Sequence, residues 1–473
     1  MIYGCGSLAG HARKKSNFLY IHYKNITEMN RASLLNTFKL HLTLFLSFVL
    51  LLGCSVKEDS KNEMAVTKTT IEKGADGFQL LLDGEPFFIQ GAGLEFGSIP
   101  KLAAHGANSF RTWRTDNGQR SGKEVLDDAQ KYGLKVTMGI DVGRERLGFD
   151  YDDEDAVKAQ LERIRKEVME LKDHPALIIW GIGNELNHEA ENPKVWDAVN
   201  EISEMIHEID PNHLTTTSLA GMNKEFVHLI MERASDLDIL SVQMYAEVAI
   251  LPRLLKESGW EGPLMVTEWG ATGYWEVGTT EWGAPLENNS SLKADFYMER
   301  YRNAIESQKE QVIGSYVFLW GQKQERTPTW FGMFMPDGKE TESIDMMHYV
   351  WNDSWPDNRS PRINDFTLES KKAQDNIKLA AGKTYNASID VTDPDNDVLT
   401  YRWEIMKESN TNATGGDAEQ VPEVIQGLIS SDQTTENVAF TAPKEEGAYR
   451  LFIYVDDNKD HTAHANIPFW VGK

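Results

Sequence analysis

The stretch Ala176-Leu-Ile-Ile-Trp-Gly-Ile-Gly-Asn-Glu185 decides how this chain is read. Its first half is a continuous apolar run, the pattern of a parallel strand buried on both faces. Its second half, Gly-Ile-Gly-Asn184-Glu185, lets the backbone approach closely and then releases two polar side chains. Leu264-Met-Val-Thr-Glu268-Trp-Gly270 has the same form, apolar and then ending on a glutamate. In an eightfold β/α barrel, functional side chains emerge where strands pass into the loops at their C-terminal ends.

Working outward, strands alternate with helical patterns, which predicts a parallel sheet. Phe87–Gly93, Ala107–Trp113 and Lys135–Asp141 precede the opening stretch, which is then the fourth strand. Leu214–Leu219, Asp238–Tyr245, Leu264–Glu268 and Val312–Trp320 follow it, and eight strands close a TIM barrel. The clearest helix carries Val157, Leu161, Ile164, Val168 and Leu171 as one apolar stripe. Asp152, Asp153, Glu154 and Asp155 stand at its start, where the helix dipole favours negative charge, and Pro175 lies just past its end. Upstream, Gly77–Gly84 reads as a hairpin with an Asp-Gly turn that covers the barrel floor.

Ser354–Pro361 is a proline-punctuated linker. Beyond it the period switches to two, in Tyr385–Val391, Leu399–Trp403 and Tyr449–Val455, which predicts an immunoglobulin-like β-sandwich. Its turn Asp390-Val-Thr-Asp393-Pro-Asp395-Asn-Asp397 has oxygen ligands of the kind calcium takes, without the EF-hand pattern. The expected organisation is a leader and signal over 1–53, a tether over 54–70, a barrel over 71–353, a linker over 354–361 and a sandwich over 362–473.

A net charge of −25 argues against nucleic acid, whose phosphates demand a basic face. Leu40–Leu52 is an apolar segment too short for a comfortable membrane span, preceded by Arg31 and Lys39. It runs into Leu51-Leu-Gly-Cys54, which resembles the bacterial lipobox, in which the cysteine is lipidated and becomes the mature N-terminus. Met29 suits a signal of ordinary length better than Met1. Ser55 lacks the aspartate that retains such proteins in the inner membrane, and Lys57-Glu58-Asp59 resembles the export signal of surface lipoproteins in Gram-negative glycan degraders. The expected place is the outer membrane, facing outward, with a glycan-uptake system as a candidate partner.

Glutamates ending the fourth and seventh strands are the pair that glycoside hydrolysis requires. The combination resembles glycoside hydrolase clan A, and the Trp-Gly-Ile-Gly-Asn-Glu and Thr-Glu-Trp-Gly wording with a trailing sandwich looks most like family 158, endo-β-1,3-glucanases. The resemblance implies Glu185 as acid/base, Glu268 as nucleophile, Arg111 and Tyr245 beside the nucleophile, Asn184 on the sugar 2-hydroxyl, and Trp320 as a platform under the sugar. Trp275, Trp282 and Trp330 fall in loops after strands seven and eight, and Trp275 and Trp330 are expected to wall a cleft for β-glucan. Leu186 stands where the clan often has proline, which argues against its cellulase-like branches. This chemistry calls for no cofactor and no catalytic metal. Arg114, Arg144 and Arg146 also fall in loops of the catalytic face and favour an acidic sugar if they reach the site. The competing readings are another clan A activity (mannanase, galactosidase-type or glucan transglycosylase) and a non-catalytic glycan-binding lipoprotein.

Overall fold

The structure, a computed structural model, describes residues 65–409, 415–430 and 434–472. The leader, Cys54 and most of the tether lie outside the described residues. Among the described residues no helix is long and apolar enough to cross a membrane.

A small antiparallel sheet opens the fold: β1 (Thr69–Gly74), β2 (Gly77–Leu82) and β3 (Glu85–Pro86). The barrel follows with β4 (Ile89–Gly93), β5 (Ser109–Arg111), β6 (Lys135–Ile140), β7 (Leu177–Asn184), β8 (Leu214–Ala220), β9 (Ile239–Gln243), β10 (Leu264–Glu268) and β11 (Val312–Val317). These eight close in the order β10-β11-β4-β5-β6-β7-β8-β9, all pairs parallel. All eight expected strands are present, and the hairpin does cover the floor. Leu80 and Leu82 pack against Ile89, Ile178, Ile239, Met265 and Ile313, at or near the strand starts. The globular part begins a little before Ile71, because Thr67 Oγ1 donates to the Pro175 carbonyl at 2.7 Å.

The helix Glu154–Leu171 is capped by Asp153, whose Oδ1 accepts from the N–H groups of Asp155 and Ala156, both at 3.1 Å. Ile164, Val168 and Leu171 are its buried stripe. β7 is held from behind: the buried Trp180 donates through Nε1 to Asp210 Oδ2 at 2.8 Å, at the end of the next helix. Inside the barrel, hydroxyls occupy positions that branched apolar residues usually fill. Tyr316 bonds Ser109 and Thr137 at 2.8 and 2.7 Å, Thr216 bonds Ser241 at 2.7 Å, and Ser218 bonds Thr267 at 3.0 Å. Each buried hydroxyl therefore has a partner, which removes the desolvation penalty it would otherwise carry.

The sandwich packs β12 (Arg362–Leu368), β14 (Thr384–Thr392) and β16 (Asn437–Thr441) against β13 (Lys378–Ala380), β18 (Thr462–Gly472), β17 (Gly447–Asp456) and β15 (Thr400–Lys407). Its own core includes Leu368, Ile389, Trp403, Phe440, Leu451 and Phe469. Barrel and sandwich belong to one compact unit, and the expected linker is pinned rather than free. Ser360 N–H donates to Asp345 at 2.7 Å and Asn358 to Asp457 at 2.6 Å. At the joint, Glu340 of the barrel accepts from Lys101 at 2.7 Å and sits 3.1 Å from His105 and 3.4 Å from His461 of the sandwich. Glu287, paired with Lys293 at 2.6 Å, also accepts from Asn466 of β18 at 2.6 Å.

Burial would raise the Glu340 carboxyl, but bonds from His105, His461 and Lys101 outweigh it and hold it well below the ordinary range. Burial would lower His461, but its bond to Glu340 and the charge of Asp345 hold it above its ordinary value. The carboxylate's contribution is therefore complete above its unfolded pKa of ~4.3 and lost as pH falls toward its folded one. The histidine's is complete below ~6.5 and lost as pH rises through its folded value. The joint should be tightest between about pH 4.3 and 6.5. Glu340→Ala should cost roughly 1–3 kcal/mol in urea unfolding there, because it removes the shared acceptor of Lys101, His105 and His461. A loss below about 0.5 kcal/mol, the size of an ordinary surface substitution, would show the joint does not depend on it.

Candidate active site

Strand ends bring the two glutamates to one mouth. Glu268 ends β10, is 5% exposed, and both its oxygens are occupied. Trp113 Nε1 donates to Oε1 at 2.9 Å, and Arg111 Nη1 lies 3.4 Å from the same atom. Tyr245 OH donates to Oε2 at 2.8 Å. Two donors and a cation thus converge on this one carboxylate.

Arg111 ends β5 and is 4% exposed, so its charge must be answered locally. Beyond Glu268 it donates to the Thr267 carbonyl at 3.2 Å and to Asn184 Oδ1 at 2.7 Å, and it lies 4.6 Å from the centre of the Trp113 ring. Gln243, the last residue of β9, also donates to Asn184 Oδ1 at 2.7 Å. With that oxygen held by two donors, the Asn184 amide N–H₂ is the group free for a sugar hydroxyl.

Glu185 follows β7 with φ at 51°, a left-handed conformation uncommon outside glycine and worth a functional explanation. Its N–H donates to the Ser218 carbonyl at 2.9 Å, which anchors the turn on β8. Gly183 makes the turn possible: its φ is 73°, and a Cβ there would lie 2.5 Å from Leu186 Cδ1. Burial first, and then the charge of Glu268, push the Glu185 carboxyl well above the ordinary range, against the opposing pull of Arg111, Arg144 and Arg146. A carboxyl that stays protonated near neutrality is a proton donor.

Both glutamates line a cleft of about 1070 Å³, just above the ~300–1,000 Å³ usual for small-ligand sites. Trp275 reaches it, 54% exposed, with its ring 5.3 Å from Tyr245. Trp330 does not line the cleft. It is 1% exposed and its indole N–H is spent on the Thr272 carbonyl, so its expected sugar contact is not available. Trp320 lies at the cleft floor but has no exposed face: it donates to the Ser98 carbonyl at 3.1 Å and packs against Phe334 and Trp351. It supports the floor, and the aromatic surface comes from Trp113, Phe318 and Phe96 instead. Trp282 packs on Trp470 of the sandwich, outside the cleft lining.

Trp113 and Gln243 are functional positions that the sequence reading passed over. Trp113 stands two residues after Arg111, so strand alternation places both on one face. Its ring crosses Gly93, where a Cβ would lie 2.8 Å from the indole. Of the loop arginines, Arg114 pairs with Glu95 at 2.9 Å and Arg146 with Asp417 at 3.3 Å, while Arg144 makes no ion pair among the described residues. The acidic turn of the sandwich brings Asp393, Asp395 and Asp397 oxygens within 4.8 Å of one another, outside the cleft lining, with Lys459 already 2.6 Å from Asp397.

A family model described as glycosyl hydrolases family 2, TIM barrel domain, matches residues 100–349, more than half of the chain. The chain belongs to this family. The finer resemblance to family 158 finds no counterpart in that match. Similar solved structures include β-glucuronidases from Faecalibacterium prausnitzii (17% identity, 60% of this chain and 52% of that one, TM-score 0.47) and Ruminococcus gnavus (15%, 60% and 53%, 0.48). β-Glucuronidase 2 of Bacteroides uniformis is another (12%, 85% and 48%, 0.47). The chain spans about half the length of these proteins.

In this family 2 barrel the Tyr245 hydroxyl is a charge-assisted donor worth roughly 1.5–3 kcal/mol. Tyr245→Phe should therefore lower kcat/KM by about 10- to 150-fold, measured on an aryl β-glycoside. An unchanged value would remove Tyr245 from the support of Glu268.

Proposed function

We propose that this family 2 chain is a retaining β-glycosidase with Glu268 as nucleophile and Glu185 as acid/base. One observation carries the reading: two carboxyls of one cleft stand in opposite surroundings. Glu268 is bonded by Trp113 and Tyr245 with Arg111 beside it, and Glu185 is raised by burial and by Glu268 itself. In the first step a Glu268 oxygen attacks the anomeric carbon while Glu185 gives its proton to the departing oxygen. Esterification removes the Glu268 charge, so the Glu185 pKa falls and its carboxylate can take a proton from water. The hydroxide equivalent then releases the sugar with its configuration retained. Asn184 supports the transition state through its free amide N–H₂.

The cleft lining supports a neutral sugar. Eight acidic side chains face it against four basic ones, and Arg114, Arg146 and Lys323 are each paired with an acidic side chain of the same lining. The family match supports a clan A β-glycosidase without selecting β-1,3-glucan, so another clan A β-glycosidase activity stands ahead of the endo-glucanase. Arg144 is the one observation favouring an acidic sugar, and a glucuronide therefore belongs in the assay.

The test is hydrolysis of 4-nitrophenyl β-D-glucoside, galactoside, mannoside and glucuronide, together with soluble β-1,3-glucan and mannan. Cleavage with a β-anomer as first product, read by NMR, and none by Glu268→Ala, is expected. An inverted product would overturn the mechanism, and full activity in Glu268→Ala would overturn the nucleophile. Glu185→Gln should slow the uncharged oligosaccharide by about 10²–10⁴-fold. Because Glu185 must start protonated, wild-type kcat should fall as pH rises through its raised pKa, well above ~4.3. The variant should lose that alkaline limb.

We further infer from Leu51-Leu-Gly-Cys54 that the enzyme is lipid-anchored at the outer surface of the outer membrane. Cys54→Ala should leave the membrane fraction and lose palmitate label. Unchanged fractionation would overturn the anchor.

A further inference from the structure

The catalytic cleft is not made by the barrel alone. Residues 415–419, in the connection between β15 and β16 of the sandwich, line it directly. Asp417 Oδ1 accepts from Arg146 Nη1 and Nη2 at 3.4 and 3.3 Å, and Arg146 lies in the connection after β6, its side chain only 9% exposed. Glu419 Oε2 accepts from the Arg326 N–H at 2.8 Å, in the connection after β11. A Cβ at Gly415 would lie 3.7 Å from Tyr274 OH and 3.9 Å from Trp275 Cζ3, so this end rests on the connection after β10. In the closed order of strands, β6 and β10 stand four places apart, on opposite sides of the mouth. The segment thus crosses from one rim to the other.

We propose that segment 415–419 of the sandwich is a specificity-determining wall of the cleft. It faces the exposed ring of Trp275 and contacts sugar units next to the cleavage point. The chemistry of the wall names the ligand. It offers the peptide groups of Gly415 and Gly416 and the oxygens of Asp417 and Glu419, which are acceptors for hydroxyl donors. Trp275, 54% exposed and beside the Gly415 end of the wall, offers an aromatic face. Along this wall a neutral β-linked sugar finds hydroxyl acceptors and an adjoining apolar platform, while an anionic unit meets like charge. Both anchors are reached through groups of the barrel, so the wall is positioned by Arg146 and by the backbone at Arg326. A glycan laid across the mouth runs along this segment or stops against it. Subsite occupancy beyond the sugar at the two glutamates then depends on the second domain. The inference rests on the reading of this cleft as a glycan site, but it can be tested without catalysis.

The measurement is binding to the full chain, read by tryptophan fluorescence, since Trp113 and Trp275 line the cleft. The probes are tetrasaccharides of β-1,3-linked glucose, β-1,4-linked glucose, β-1,4-linked mannose and β-1,4-linked galactose, with the four 4-nitrophenyl monoglycosides as short controls. Asp417→Ala combined with Glu419→Ala removes the acceptors and the anchors. Ala418→Trp, at an exposed position of the wall, narrows the cleft and leaves both anchors in place. The bound tetrasaccharide should lose at least tenfold in Kd in each variant, with the monoglycoside within twofold of wild type and Tm unchanged for Ala418→Trp. Tetrasaccharide affinity within twofold of wild type in both variants would overturn the wall. So would a parallel loss for short and long ligands with a lowered Tm, which is what a purely structural loop would give. Absence of binding to all four tetrasaccharides by the wild type would overturn the neutral-glycan assignment of the wall. A protein that binds them without cleaving them would overturn the proposed hydrolysis and leave the wall standing.

Discussion

The site depends on one buried charge. Arg111 is 4% exposed, and a guanidinium in that position is tolerated only if its donors are matched by oxygen acceptors. Two barrel strands supply them, Glu268 and the Thr267 carbonyl from β10 and the Asn184 side-chain oxygen from β7, while Arg111 itself comes from β5. Satisfying the cation therefore fixes the lateral positions of the nucleophile candidate and of the asparagine beside the acid. Trp113, stacked on the same guanidinium and bonded to the same glutamate, makes the arrangement tighter by removing a rotamer choice from each partner.

Polarity continues below this layer. The interior hydroxyls of Ser109, Thr137, Thr216, Ser218, Ser241 and Thr267 bond one another or Tyr316, so the charged layer stands on a polar base and not on an apolar plug. Ser218 serves twice, through its hydroxyl to Thr267 and through its carbonyl to the Glu185 N–H. The left-handed backbone at Glu185 is thereby held by groups on a neighbouring strand, as a strained functional position has to be. The two glutamates thus stand in opposite surroundings: donors surround one, and burial with a neighbouring negative charge surrounds the other.

The second domain is part of the same physics. Glu340 and Glu287 are buried carboxylates whose partners come from both barrel and sandwich, so separating the domains breaks charge-assisted contacts to His461 and Asn466. A joint of this kind fixes one orientation, and that orientation brings residues 415–419 over the mouth. Trp320 and Trp330 illustrate the complementary point. Both are tryptophans at or just beyond the last barrel strand, and both are consumed as supports, each with its indole N–H on a backbone carbonyl.

By itself the sequence determined the eight strands, the floor hairpin, the sandwich and the two glutamates. Each of these is written in local patterns: apolar runs, a switch from helical to twofold period, and glycines beside a polar strand end. Arg111, Asn184 and Tyr245 were legible for the same reason, since position at a strand end is a one-dimensional property. The tertiary structure alone decided which aromatics are surface and which are core, because Trp275 and Trp330 both fall in loops after barrel strands and differ in what folds over them. It alone decided that Gln243 and Trp113 complete the site, that Arg114 and Arg146 are already paired, and that a sandwich loop borders the cleft. Those outcomes rest on contacts between residues distant in the chain, such as Arg146 with Asp417, and no local pattern encodes a distance across the barrel mouth.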